Sequence, residues 1–544
     1  MKQVLLAVIF FSSITGINGQ SPISGTLLKK LDSISTQDVP NQAPGIVTAI
    51  VRNGQVVYQR YAGYANLEDS TLIQASTRFN IASNGKQFTA LALLRLIDQK
   101  KLSLQDDIRK WFPDFYPDVQ EPITIGNLLN HTSGIRDCYD LLSLNGLTWW
   151  QQAFGNAEIL ELLSKQTQLN FSPGSKHLYS NSNYILLAVI IEKVTGQSFN
   201  GYTQEMFELL GMPNTSFVDN ASEIRGPIAR PYFNFGSWST YEWIWNACGD
   251  GNLFTTLNDQ IQWEKLVQGK AKSQIKQSLI RQSQQLLEGS PVTNYGYGLE
   301  FGTYKGMRYL FHEGATGAWK ATFLRFPEKN ASMLTFTNSG KSIPSMQTRQ
   351  LADAYFGLKQ DCEFLITKPT TIGNYVSERD LVGTYLTDDD FAFTFELKEG
   401  KLFLKRAGRN DVELEREADN ILRQKYDPDF KQEFLTNEKG ELQVTVYYVT
   451  HAPYTLTRTP AIESNFDWSQ YNGEYINHET GTTLSISHTN SQNFEVIIND
   501  RKFAGLLISE SKMVVDFYSL SLSEGSLLLN GNRIKKVAFV KRTR

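Results

Sequence analysis

Ser83 and Lys86 stand three residues apart in FNIASNGKQFTALALLRLIDQ, Phe79–Gln99, just ahead of an apolar run. A serine hydroxyl is a poor nucleophile at neutral pH and needs an adjacent base. Three residues along a helix return to the same face, so the two side chains can touch. A serine at a helix start also gains from the positive end of the helix dipole. Lysine serves as a base only when burial or neighbouring cations lower its pKa, and the apolar run after Lys86 makes burial plausible. The spacing alone decides nothing, because Ser-x-x-Lys recurs at Ser273/Lys276 and Ser509/Lys512. The first of these lies in the polar stretch KAKSQIKQ and the second in a β-rich region near a turn, so context selects Ser83. The bland alternative for Ser83 is a helix N-cap.

Acyl transfer also needs a proton shuttle and donors for the oxyanion. Tyr179-Ser180-Asn181 and His312-Glu313-Gly314 supply residues of the right types. Tyr-x-Asn recurs at Tyr232/Asn234 and Tyr475/Asn477 among other places, whereas His-x-Gly occurs once. Tyr179 is preferred because a Pro173-Gly174 turn precedes it and an apolar helix follows. The plain readings are a buried tyrosine with a satisfied hydroxyl and an ordinary strand histidine.

SNGK opening a helix, YSN, and HEG on a strand resemble, in order, the three motifs of penicillin-recognising serine enzymes. The resemblance is to the branch with class C β-lactamases, D-alanyl-D-alanine carboxypeptidases, D-aminopeptidases and related esterases. LLNHTSGI (Leu128–Ile135) and GDGNLFTTLNDQIQW (Gly249–Trp263) are further similar stretches, and the likeness covers roughly residues 25–360. It implies that Ser83 forms the acyl-enzyme and that Lys86 is the base or tunes it. Tyr179 would shuttle the proton, as phenolate or through Lys86, and His312 would orient or polarise Tyr179. Asn181 would hydrogen-bond substrate, and the backbone N–H groups of Ser83 and Ala315 would form the oxyanion hole. Gly314 and Gly317 would leave room for substrate along the strand. His131 reads as a structural hydrogen-bonder, and PYFNFGSWSTYEWIWN (Pro231–Asn246) as a packed loop or a cleft wall.

Glu313 departs from relatives that bind a substrate carboxylate, which often carry Thr or Gly there. Strand alternation should turn it away from His312. If it faced the cleft it would disfavour a terminal carboxylate and favour an amine or neutral group.

The elements that must hold these residues are legible. GIVTAIVRNGQVVYQRYAGYA, Gly45–Ala65, alternates on both sides of Asn53-Gly54, a hairpin with a two-residue turn. A helical middle runs to about residue 285. From Tyr295 three or more antiparallel strands follow, and SMQTRQLADAYFG closes the unit as a helix. The expected fold is α/β (α+β): a β-lactamase-like antiparallel sheet flanked by helices, with a helical subdomain. After Thr367–Tyr375 helical patterns nearly vanish. Gly383-x-Tyr and Gly473-x-Tyr each begin an alternating region, a weak repeat that suggests two small antiparallel β-barrel or lipocalin-like domains. A single sandwich is the alternative. The boundaries are signal peptide 1–19, catalytic domain 20–366, and β domains 376–460 and 465–544. The pair resembles the barrel-like domains that follow the catalytic unit in D-aminopeptidases, where a loop from the last domain limits substrate size.

The 544 residues are 41% hydrophobic with a formal net charge of -3, enough for packed cores and without the basic footprint of nucleic-acid binding. MKQVLLAVIFFSSITGING reads as a secretory signal peptide cut after Gly19, and no later segment is apolar enough to span a membrane. The expected location is periplasmic or secreted. Three cysteines, Cys138, Cys248 and Cys362, do not make a disulfide framework. Three small buried side chains are the reading, with a Cys138–Cys248 bond as the alternative. His312 begins like a zinc motif, but Thr316 stands where its second histidine belongs. No metal and no cofactor is implied. The function read here is an exported serine hydrolase acting on a small peptide, amide or ester, of D-amino-acid peptidase or amidase type, with peptidoglycan fragments among the candidates. A carboxylesterase or β-lactamase is the alternative within enzymes. The rival class is a non-catalytic module binding cell-wall peptide or penicillin.

Overall fold

The computed structural model describes residues 23–358 and 375–542, apart from 41, 148–150, 225, 235, 389, 406–410, 427–429, 449–450, 461–467, 491–492, 510 and 524–525. The stretch expected to be a signal peptide and Cys362 fall outside the described residues.

A six-stranded antiparallel sheet organises the catalytic unit. Its strands lie in the order Glu300–Tyr304, Met307–Thr316, Trp319–Phe326, Ala331–Thr337, Ile46–Arg52 and Gln55–Ala62. The sequence ends of the unit thus meet at its centre, where Ile46–Arg52 pairs with Ala331–Thr337 in register Ile46↔Thr337 to Arg52↔Ala331. The hairpin expected around Asn53-Gly54 forms, both turn residues having positive φ (50° and 75°), as a two-residue turn matched to strand twist requires.

The central strands are buried on both faces, which is why they read as continuous apolar runs. Ile50 and Met333 join one core with Leu31, Ile34, Leu351 and Ala352 from the helices Gly25–Thr36 and Pro344–Phe356. Val47, Ala49, Leu334 and Phe336 face the opposite core, shared with the helices Lys86–Asp98 and Asn181–Thr195. Those two helices are buried nearly all round, so they form the spine of the helical subdomain.

Two closed eight-stranded antiparallel barrels follow, with strands from Gly383 to Arg458 and from Gly473 to Lys541. This is the barrel architecture; a single sandwich is not formed. The Gly-x-Tyr repeat has a structural basis. Gly383 and Gly473 have φ of 143° and 145°. The hydroxyls of Tyr385 and Tyr475 each donate to the carbonyl four residues back, Leu381 at 3.0 Å and Tyr471 at 3.0 Å. Each tyrosine pins the entry segment to the first strand of its barrel.

The second barrel is bound to the catalytic unit by polar contacts around residues 136–146. Buried Arg136 pairs with Glu479 at 2.5 Å and donates to the carbonyls of Lys535 and Lys536. Arg501 donates to the carbonyls of Ser143 and Leu144. Removing one partner of a buried ion pair typically costs ~3–5 kcal/mol, so Arg136–Glu479 is a firm anchor. Ala392 of the first barrel packs on Ile508 and Val514 of the second.

Candidate active site

The candidate nucleophile, Ser83, sits on a strained turn. Ala82 has φ 48°, which costs a non-glycine residue on the order of 1 kcal/mol and persists where surroundings over-determine it. Here Asn80 Oδ1 accepts from the Ala82 N–H at 2.9 Å, while Asn80 Nδ2 donates to Asn252 Oδ1 at 3.0 Å. A single 3₁₀ turn, Ala82–Gly85, carries Ser83 into the helix that starts at Lys86. The chain therefore makes one tight turn between nucleophile and lysine.

Lys86 is fully buried. Its Nζ lies 3.1 Å from Ser83 Oγ, 2.8 Å from Asn181 Oδ1 and 2.6 Å from the Asp250 carbonyl. The last two are obligate acceptors, because Asn181 Nδ2 is committed to Asp137 Oδ2 at 3.0 Å and fixes the amide orientation. A neutral lysine has two N–H bonds and one lone pair. Both hydrogens satisfy these acceptors, so the lone pair is left for the Ser83 O–H. Burial lowers Lys86 to about 8, against the partial opposition of Asp250 and Asp137 and with help from Arg533. The neutral amine is therefore accessible near neutrality, as a general base requires.

Tyr179 lines the same cleft. Its hydroxyl is buried without a hydrogen-bond partner of ordinary geometry, although the Ser83 hydroxyl is near enough to favour its ionisation. Burial dominates and holds the phenol well above its usual value. Of the two routes left open for Tyr179, shuttling the proton as phenolate or through Lys86, this environment disfavours the phenolate. Lys86 Nζ stands 5.0 Å from the centre of the Tyr179 ring.

His312 is buried. Its Nε2 lies 3.1 Å from the Tyr295 hydroxyl and its Nδ1 2.7 Å from the Glu313 carbonyl. Its ring is 6.2 Å from that of Tyr179, and Tyr295 packs 6.1 Å from Tyr179. The path from His312 to Tyr179 thus includes Tyr295, which sequence reasoning missed. His131 is structural: its Nδ1 accepts from the Ser180 N–H at 3.2 Å, and its ring lies 4.3 Å from Tyr179. Burial keeps it well below the ordinary histidine value and therefore neutral.

The strand bearing His312 explains the third motif. Its neighbour Glu300–Tyr304 pairs only as far as Phe311. Beyond that point the outer edge carries no ladder partner within the described sheet. The hairpin closes at Thr316↔Trp319, so Ala315 opposite Lys320 is a non-hydrogen-bonded position and its N–H turns to that edge. Ala315 and Thr316 line the cleft with Ser83. Gly314 has a different part from the one expected. A Cβ there would stand 2.3 Å from the Ile81 carbonyl and 3.0 Å from the Ser83 nitrogen. The room it provides is filled by the nucleophile turn, and substrate does not use it. Asn181 likewise spends its amide on Lys86 and Asp137, and only its remaining hydrogen and lone pair face the cleft.

Glu313 points to the far side of the sheet, with Tyr309 and Phe311, and pairs with buried Arg349 at 2.8 Å. It exerts no selection in the cleft, so the argument from Glu313 for an amine-bearing substrate falls. Cys138 and Cys248 are buried and free, which removes the disulfide alternative. Ser273 bonds the Ile275 carbonyl while Lys276 pairs with Asp98, and Lys512 bonds Asp390. Neither of the other Ser-x-x-Lys pairs builds a nucleophile.

The cleft encloses about 540 Å³, with walls that include Tyr139, Leu142, Leu147, Trp243 and Trp245. The aromatic loop is thus both packed and a wall. A separate depression of about 430 Å³ around Arg78, Asn214 and Phe217 holds none of these groups. At the cleft floor, Asp250 Oδ2 accepts from the Tyr139 hydroxyl at 2.8 Å, while Oδ1 is buried with no protein partner. Asp250, Asp137 and Arg533 were not assigned from sequence. Asp250 stands in the GDGN stretch, a signal that was available.

A serine on a strained turn, a buried lysine facing it, a tyrosine at the next helix start and a strand edge opposite form the site arrangement of the serine β-lactamase-fold hydrolases. A family model described as Beta-lactamase matches residues 32–357, and the chain belongs to that family. Among its relatives, Protein flp of Staphylococcus aureus (strain N315) is 30% identical over 339 residues, 58% of this chain and 64% of that protein. D-aminopeptidase of Brucella anthropi is 28% identical over 304 residues, 55% of this chain and 56% of that protein. The chain therefore spans less than two thirds of the length of either relative. The octameric penicillin-binding protein homologue from Pyrococcus abyssi superposes with TM-score 0.57 at 23% identity, covering 79% of this chain and 100% of that one. D-amino acid amidase from Ochrobactrum anthropi SV3 complexed with D-phenylalanine gives 0.51 at 20% identity, covering 61% and 99%. These structures speak for the fold.

Proposed function

We propose that this protein is an exported serine hydrolase that forms an acyl-enzyme on Ser83 and cleaves a small amide or ester, of D-amino-acid peptidase or amidase type. The observation that carries the reading is the three-way coordination of Lys86 Nζ, which leaves its lone pair for the Ser83 hydroxyl. As Oγ attacks the carbonyl carbon, its proton passes to Nζ. The carbonyl oxygen gains charge, and the N–H groups of Ser83 and Ala315 receive it. Tyr179 passes its proton to the leaving nitrogen or oxygen and takes one from protonated Lys86, which returns the lysine to its neutral form. Water then hydrolyses the ester on Ser83. A binding module has no use for a lysine whose hold on its proton is weakened at the cost of burial.

The substrate class follows from the floor of the cleft. Asp250, whose Oδ1 lacks a protein partner, lines the cleft, while the cleft-lining cation Arg533 is already paired with Asp137 and Asp140 behind it. That environment suits an acyl donor with a free ammonium group, and the apolar wall suits its side chain. The names of the D-aminopeptidase and D-amino acid amidase relatives agree with this reading. Fragments of peptidoglycan that end in a free D-amino acid amine are candidate natural substrates. The test compares D- and L-alanine p-nitroanilides, free and N-acetylated, with short acyl esters. Preference for the free D-amine supports the proposal; equal turnover of N-acetylated amides, or activity on esters alone, overturns the substrate class. Export is tested by the N-terminal residue of the protein recovered from the secreting cell, expected to be Gln20.

A further inference from the structure

We propose that Arg533, carried by the second barrel, is a positioning residue of the active site: it holds Asp137, which orients Asn181 against the Nζ of Lys86. The inference rests on the reading of Lys86 as the base for Ser83, and it assigns the second barrel a part in the chemistry beyond covering the cleft.

The chain of contacts is short and continuous. Arg533 Nη2 lies 3.1 Å from Asp137 Oδ1 and 2.6 Å from Asp140 Oδ1. Asp137 Oδ2 accepts from the Asn181 backbone N–H at 2.7 Å and from Nδ2 at 3.0 Å. Asn181 Oδ1 accepts from Lys86 Nζ at 2.8 Å. Three side-chain contacts therefore run from the barrel to the base. The backbone is held as well: the Arg533 N–H donates to Asp140 Oδ2 at 2.9 Å, and its carbonyl accepts from the Asp137 N–H and from Asn170 Nδ2. Asp137 is fully buried. Arg533 fixes which way this carboxylate faces, and the carboxylate dictates which end of the Asn181 amide faces Lys86.

Arg533 also acts on Lys86 as a charge. The groups that face Lys86 are Asp250 from the loop after Cys248, Asp137 and the Cys138 thiol from the start of the helix Cys138–Leu144, the Tyr179 and Tyr184 rings, neutral His131, and Arg533. Asp250 and Asp137 favour the lysine's protonated form, while Arg533 disfavours it. Among the described residues, Arg533 is the one cation in this set that comes from outside the catalytic unit. Arg533 lines the cleft, with its side chain about a quarter exposed. The barrel thus presents a group that both neutralises Asp137 and opposes protonation of the base.

The test is the pH profile of Ser83 labelling by a neutral fluorophosphonate, read by intact mass on the full chain. The wild type should show a rising limb centred near pH 8. Arg533→Ala should move that limb upward by about half a unit or more, with labelling at pH 7 falling at least about threefold, as loss of a nearby cation demands. Arg533→Lys, which keeps the charge and loses the planar fork, should restore most of the limb. Glu479→Gln, which loosens the barrel anchor on Arg136 without removing a contact between Arg533 and Lys86, should lower the melting temperature and leave the limb in place. If Arg533→Ala does not fold, Arg533→Gln against Arg533→Lys gives the same contrast. A limb present in the wild type and unmoved in the Arg533 variants overturns the inference alone. A limb moved equally by Glu479→Gln assigns the effect to docking and overturns it too. A wild type that labels with no limb near pH 8 refutes the reading of Lys86 and the inference with it.

Discussion

Replacing Asp250 with asparagine should make Ser83 easier to acylate at low pH and, at the same time, make the enzyme worse at its substrate. Lys86 sits near 8, against 10.5 for an ordinary lysine. At pH 7 about one molecule in ten then holds the neutral amine, against about one in three thousand without the depression, a gain of ~300-fold in competent base. The rate of labelling by a neutral phosphonate should rise about tenfold per pH unit below 7.5 and level off above about 8.5. Asp250 is the largest of the charges that hold the proton on Lys86. Removing that charge while keeping the backbone carbonyl moves the limb to lower pH, and labelling at pH 6.5 should increase by about threefold or more. Turnover of a free D-amino-acid anilide should fall by about 10–100-fold, since an ammonium loses its counter-charge. Turnover of the N-acetylated amide should change little above about pH 8.5, where the base is already neutral. Stopped labelling followed by intact mass, with anilide kinetics across pH 5.5–9.5, reads both. A limb that stays or moves upward refutes the electrostatic account of Lys86. Equal losses on free and acetylated substrates refute Asp250 as the ammonium site.

Three further outcomes follow from the packing. Folded Lys86 releases its proton near 8 and the unfolded lysine near 10.5, so between these values the unfolded chain binds more protons and stability rises with pH. Urea unfolding of the wild type relative to Lys86→Met should therefore gain up to about 3 kcal/mol from pH 7 to pH 11, and a flat difference contradicts the depressed value. Gly314→Ala forces a Cβ onto the Ile81 carbonyl; it should cost about 1–3 kcal/mol in stability and displace Ser83, with labelling falling by more than about tenfold. Glu313→Thr leaves the buried Arg349 without its carboxylate, so it should lower stability by ~3–5 kcal/mol while the preference between acidic and neutral substrates stays as in the wild type.

Much of this arrangement was legible from local pattern. Ser83 and Lys86 meet because helical spacing brings them together, and Asn53-Gly54 announced its hairpin because a two-residue turn needs positive φ at both positions. The Gly-x-Tyr repeat was readable because each tyrosine bonds four residues back. What escaped was created by the tertiary fold. Tyr295 becomes His312's partner only when the strands pair, Asp250 reaches Lys86 from 164 residues away, and Arg533 reaches Asp140 across 393. Gly314 was identified but given the wrong neighbour, because alternation along a strand tells which face a residue takes and not what packs there. The same limit applied to Glu313: its direction away from His312 was predictable, its pairing with Arg349 was not.

The central claim is that Ser83 is a nucleophile activated by Lys86. The most direct test is intact mass of the purified mature protein after a serine-reactive phosphonate, with Ser83→Ala alongside. The account predicts a single adduct on the wild type, mapped to Ser83 and lost in the variant. No adduct, or one that survives Ser83→Ala, would contradict it and move the binding-module reading ahead.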